Sequence, residues 1–105
     1  MKTKNKKNLT DKEIIRLLRE RSDVLRKYKV RKIGLFGSYV RGEQKIRSDV
    51  DILVEFNEED IPGLYKFIEF EHYIEKIIRK KVDLVRRGAI RSELKDIILD
   101  EVIYI

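Results

Sequence analysis

One short stretch constrains the fold of this chain more than any other. Ile33-Gly34-Leu35-Phe36 runs apolar into Gly37-Ser38, Arg41-Gly42 follows, and six residues later Asp49-Val50-Asp51 leads into Ile52-Leu53-Val54. That pattern predicts strand, small-residue turn, loop and strand. Alternate strand residues point to one face, so Asp49 and Asp51 project together with Cα atoms roughly 6–7 Å apart. Two carboxylates that close repel each other unless a cation lies between them. Hard oxygen ligands of this kind suit Mg²⁺, which keeps waters and draws further ligands from substrate phosphates. The turn before them suits the phosphates themselves, because glycine lets an anion approach the backbone and amides opening a helical turn attract it.

The rest of the chain can be read around that stretch. Thr10 followed by Glu13 is a capping-box pattern, predicting a helix over about 11–28 with Ile14, Leu17, Leu18, Leu25 and Tyr28 on one face. Val30 to Phe36 predicts a first strand, 38–42 a turn of helix, and Val50 to Phe56 a second strand. Asn57 to Pro62 breaks that strand, and a helix is expected over about 63–79 with Leu64, Phe67, Phe70, Ile74 and Ile77 facing inward. Val82-Asp83-Leu84-Val85 predicts a third strand, and Ser92 caps a last helix over about 93–101. Val102-Ile103-Tyr104-Ile105 suits either a continuation of that helix or an edge strand.

Placing the acidic residues together dictates a topology. The Gly37 turn meets Asp49 and Asp51 only if the end of the first strand lies beside the start of the second, so those strands run antiparallel. Asp83 reaches the same place only if the third strand runs parallel to the second, with the helix at 63–79 as the crossover. The expected fold is α/β, a small mixed β-sheet with flanking helices.

Composition narrows the setting. A chain of 105 residues, 42% hydrophobic and 42% charged, fits one globular domain under a charged surface rather than disorder. Residues 10–105 are expected to form it, behind a flexible basic tail over 1–9 that carries Lys2, Lys4, Lys6 and Lys7. The absence of cysteine excludes disulfides and thiolate metal sites. No apolar run approaches the ~18 residues of a membrane span, and Asp11-Lys12-Glu13 stands where a signal peptide would be apolar. A cytoplasmic protein is expected. The net charge of +6 is spread along the chain, which reads as a solvated surface, with nucleic acid an indirect or weak partner and membrane none. Arg86, Arg87 and Arg91, just past the third strand, are the candidates for contact with a partner or RNA. Ser48 is expected to orient the loop before Asp49, and His72 to be structural.

Gly37-Ser38, Arg41-Gly42, Ser48-Asp49 and Asp51, backed by Leu53-Val54, resemble the signature of the nucleotidyltransferase superfamily typified by DNA polymerase β. The short chain and the later Val82-Asp83-Leu84-Val85 are similar to the minimal nucleotidyltransferases, the MNT or MntA-type antitoxins. The likeness runs from about Ile33 to the C-terminus. It implies a polymerase β-like core in which Asp49, Asp51 and Asp83 are the catalytic and metal-binding carboxylates for two Mg²⁺ ions. Asp83 would also help deprotonate an acceptor hydroxyl. Gly37 and Ser38 would hold the triphosphate of ATP, the nucleotide donor, while Arg41 would contact phosphate or brace the turn through a carboxylate. A chain this short leaves the acceptor to be supplied by a partner. The resemblance makes that partner a HEPN-family ribonuclease toxin, AMP being transferred to one of its hydroxyls, a tyrosine's. The chain would then be the antitoxin of a type VII-like pair and part of a hetero-oligomer. Two other functions fit the family: a non-catalytic antitoxin that neutralises its toxin by binding, and a nucleotidyltransferase subunit acting on a small molecule or RNA. All three carboxylates are present, which favours catalysis.

Overall fold

The computed structural model describes residues 9–105. The tail expected over 1–9 lies outside them except for Leu9, which is partly buried against the core. Helix α1 (Asp11–Glu20) opens on a closed capping box: Glu13 N–H donates to Thr10 Oγ1 (3.2 Å) and Thr10 N–H to Glu13 Oε1 (2.9 Å). The single helix expected to Tyr28 is two. Arg21 leaves the helical region (φ −115°, ψ 40°), and α2 (Ser22–Lys27) starts afresh on Ser22 and Asp23, residues that favour helix starts over helix interiors.

Strands β1 (Val30–Phe36), β2 (Val50–Phe56), β3 (Val82–Arg86) and β4 (Ile103–Tyr104) form one sheet in the order β3-β2-β1-β4. As the placement of the acids required, β1 and β2 are antiparallel and β2 and β3 parallel. Between them lie α3 (Ser38–Arg41), α4 (Leu64–Ile78) and α5 (Ser92–Glu101). The C-terminus is an edge strand, β4 pairing antiparallel with β1. It packs closely because β1 offers Gly34 there: a Cβ at that position would lie 2.6 Å from Val102 Cγ2.

Alternation along β2 separates core from site. Val50, Ile52, Val54 and Phe56 join Ile33 and Leu35 of β1 and Val82 and Leu84 of β3 against Ile14, Leu18, Tyr28, Phe70, Ile74 and Ile78. Each large apolar side chain so buried contributes about 1.5–3 kcal/mol. Asp51, Leu53 and Glu55 take the opposite face by the same alternation. Two local expectations are corrected. Leu64, expected inward, is 73% exposed at the first position of α4, and the buried stripe is Phe70, Ile74 and Ile78 with Phe67 and Ile77 partly covered. Ser92 is not the cap of α5 but its first residue, the chain turning inward one position earlier at Arg91. Among the described residues no helix is long and apolar enough to cross a membrane.

Candidate active site

The sheet register assembles the acidic residues. Phe36 pairs with Asp51 across β1 and β2, and Asp51 pairs with Asp83 across β2 and β3. Neighbouring strands run about 4.8 Å apart, so Asp51 and Asp83 sit side by side on the face turned away from the helical core. Asp49, two residues before Asp51 and just ahead of β2, is exposed, as is Asp83; Asp51 is half-buried.

Asp51 is the electrostatic centre of the group. Its carboxyl is pushed up to about 6, chiefly by burial and then by the charges of Asp83 and Asp49, with Arg41 pulling it down and Glu101 adding a smaller upward push. The cluster is therefore short of positive charge, which fits a divalent cation. Among the described residues no three His, Cys, Asp or Glu side chains converge as a ready-made metal cage. A hard ion held here would draw its other ligands from water and phosphate oxygens, as Mg²⁺ does.

A pH-dependent stability follows. In the unfolded chain an aspartate ionises near 3.9, whereas Asp51 in the fold ionises near 6. The unfolded state thus loses its proton first. The destabilisation is absent below about pH 4, grows as pH rises, and is complete above about 6. Asp51→Asn removes it. In EDTA at pH 7.5 this variant is expected to be more stable than the native chain by about 1–2 kcal/mol, discounted for the part of the carboxylate that stays in water. The gain vanishes at pH 4, and thermal melts at the two pH values check it.

The turn ahead of Asp51 is built on Gly37. Its φ of 80° and ψ of −151° lie in a region essentially reserved for glycine. A Cβ built there would overlap the Asp51 carboxylate. The glycine was expected to admit a phosphate; in the fold it first admits Asp51. Its N–H donates to Glu101 Oε2 at 2.7 Å, while its carbonyl accepts from Val40 and Arg41 N–H (3.0 and 3.2 Å) to start α3. Ser38 is the first residue of α3 and half-buried.

Of the two roles open to Arg41, the structure displays bracing. Its Nη1 donates to both oxygens of Glu101 (3.0 and 3.2 Å) and its Nε to Glu43 Oε1 (2.9 Å). Ser48 closes the loop before Asp49: its Oγ accepts from Lys45 N–H (2.8 Å) and its N–H donates to Lys45 O (2.9 Å). Arg87 lies 3.9 Å from the buried Glu55, and His72 is exposed on α4. Glu101 is the residue that sequence reasoning missed. A signal for it existed: the last turn of α5 holds no basic residue, and an acid there opposes the helix dipole.

Residues 11–105 match the family described as the nucleotidyltransferase domain. The chain belongs to that family. Its mixed four-stranded sheet is a nucleotidyltransferase core, and the protein is a nucleotidyltransferase enzyme. Over 98 residues it is 49% identical to the protein adenylyltransferase MntA of Thermococcus cleftensis, covering 92% of this chain and 97% of that protein. A solved minimal nucleotidyltransferase matches with a TM-score of 0.71 at 25% identity, over 93% of this nucleotidyltransferase and 98% of that chain. A toxin–antitoxin crystal structure with AMP-PNP matches with a TM-score of 0.67 at 28% identity, over 91% of this chain and 72% of that one.

Proposed function

We propose that this nucleotidyltransferase moves AMP from ATP onto a tyrosine hydroxyl of a partner HEPN-family ribonuclease toxin, acting as the antitoxin of a type VII-like pair. The observation that carries this is Asp51 in register with Asp83 beside the Gly37 turn. Carboxylates short of positive charge stand there beside the glycine turn that opens α3. A protein acceptor is supported by the name of the Thermococcus relative, and a toxin partner with an ATP-like donor by the solved complex with AMP-PNP. The HEPN class and the tyrosine come from the likeness to MNT antitoxins.

Asp49, Asp51 and Asp83 would hold two Mg²⁺ ions, whose chemistry is to neutralise the triphosphate and favour ionisation of the acceptor hydroxyl. Asp83, exposed at the head of β3, takes the hydroxyl proton on a carboxylate oxygen. The freed oxygen bonds to the α-phosphorus, the bond to the bridging oxygen breaks, and pyrophosphate leaves. The Gly37-Ser38 turn aligns the triphosphate, and Arg41 lends positive charge beside it.

Incubating the enzyme with ATP, Mg²⁺ and its partner toxin tests this. Tandem mass spectrometry is expected to find AMP esterified to a toxin tyrosine. A toxin that is neutralised yet unmodified contradicts the proposal, as does AMP found on RNA or a small molecule instead.

A further inference from the structure

Glu101 reaches the site from the far end of the chain, 64 residues from Gly37 and 60 from Arg41 in sequence. One carboxylate serves both. Oε2 accepts the Gly37 N–H at 2.7 Å, and both oxygens accept from Arg41 Nη1. The 2.7 Å bond from Gly37 to the carboxylate is of the short, charge-assisted kind, while the two from Arg41, at 3.0 and 3.2 Å, are longer. The Glu101 side chain is 19% exposed, against 47% for Arg41, so the acid is the sheltered member of the pair.

Its own mounting is firm. Two residues on, Ile103 enters β4 and pairs with Leu35; Tyr104 pairs with Gly34, and Ile105 N–H donates to Ile33 O at 2.9 Å. Its charge cuts both ways, opposing the ionisation of Asp51 and favouring that of Arg41. Its larger contribution is geometric. A turn with glycine-only dihedrals persists only where its surroundings hold it, and a free arginine side chain has many rotamers to lose before it can meet a phosphate.

We propose that Glu101 is a positioning residue of the transfer site, a carboxylate that splints the Gly37 turn and the Arg41 guanidinium into a preformed triphosphate cradle. It acts through those two groups and does not touch the substrate. The inference rests on the nucleotide site proposed above, and its test uses binding to the chain alone, so it stands or falls independently of the acceptor. Binding of Mg²⁺–AMP-PNP to the native chain is the control that belongs to the earlier proposal.

Glu101→Gln keeps the shape and removes the charge. Its AMP-PNP affinity is expected to fall about tenfold, the effect of losing a charge-assisted bond, with adenosine affinity and melting temperature unchanged. In an Arg41→Gln background the same change is expected to add little, because the two act as one unit. If Glu101→Gln does not fold, Glu101→Asp, one methylene short, is expected to show the same selective loss. AMP-PNP binding as tight as native or tighter overturns the proposal, since Glu101 would then be a competitor for the phosphate's donors. A parallel loss of adenosine affinity overturns it as well, because Glu101 would then be acting on the fold at large.

Discussion

Exchanging Asp49 and Asp51 together for asparagine is expected to abolish AMP transfer, a loss of at least about 10³-fold, the scale on which removal of transition-state charge stabilisation acts. Asparagine keeps the size of each side chain and removes the charge that a divalent cation requires. The fold survives, because Asp49 is exposed and Asp51 belongs to the face opposite the apolar core. Relief of the repulsion among Asp49, Asp51 and Asp83 makes the variant no less stable than the native chain. Calorimetric titration with ATP in the presence and absence of Mg²⁺ checks this. The Mg²⁺-dependent part of the affinity disappears in the double variant. Unchanged affinity means that these acids do not hold the metal.

Gly37→Val is expected to be the most damaging change outside the carboxylates. A valine at φ 80° and ψ −151° is strained by about 1–3 kcal/mol before any contact is considered. Its Cβ then meets the Asp51 carboxylate, so either the turn opens or Asp51 is displaced from beside Asp83. Both outcomes disassemble the site, and transfer drops by about two orders of magnitude or more, as misplacement of about 1 Å does elsewhere. Ser38→Ala removes one hydroxyl, worth ~1 kcal/mol or roughly fivefold in rate. Turnover of the two variants with ATP and partner toxin decides the matter. If Ser38→Ala proves the worse lesion, the hydroxyl matters more than the backbone of the turn.

The parts of this fold legible in sequence are those set by local signals. β-branched and aromatic runs ending at Gly37 and opening after Asp49 marked β1 and β2, and the need to gather three acids at one end ordered β1, β2 and β3 correctly. What escaped was set by distant packing. The pairing of Tyr104 with Gly34 depends on a glycine in β1 that lets Val102 approach, which no local pattern around the C-terminus expresses. The exposure of Leu64, at the first position of α4, does not show in its spacing, which matches the buried stripe. Glu101 carried a local signal as an acid at the end of α5, but its partners Gly37 and Arg41, 64 and 60 residues away in sequence, did not show. The function of Gly37 was half legible. Its need for glycine showed, but its closest neighbour, Asp51, did not.

Asp83→Ala tests most directly whether neutralisation is catalytic. The variant lacks the carboxylate proposed to take the acceptor's proton, while an exposed position at the head of β3 gives the fold little reason to depend on it. Expressed with the partner toxin, it is expected to associate with the toxin as the native chain does, to leave it free of AMP, and to fail to protect growing cells. Protection equal to that of the native chain, with the toxin still unmodified, would contradict catalysis and leave binding alone as the means of neutralisation.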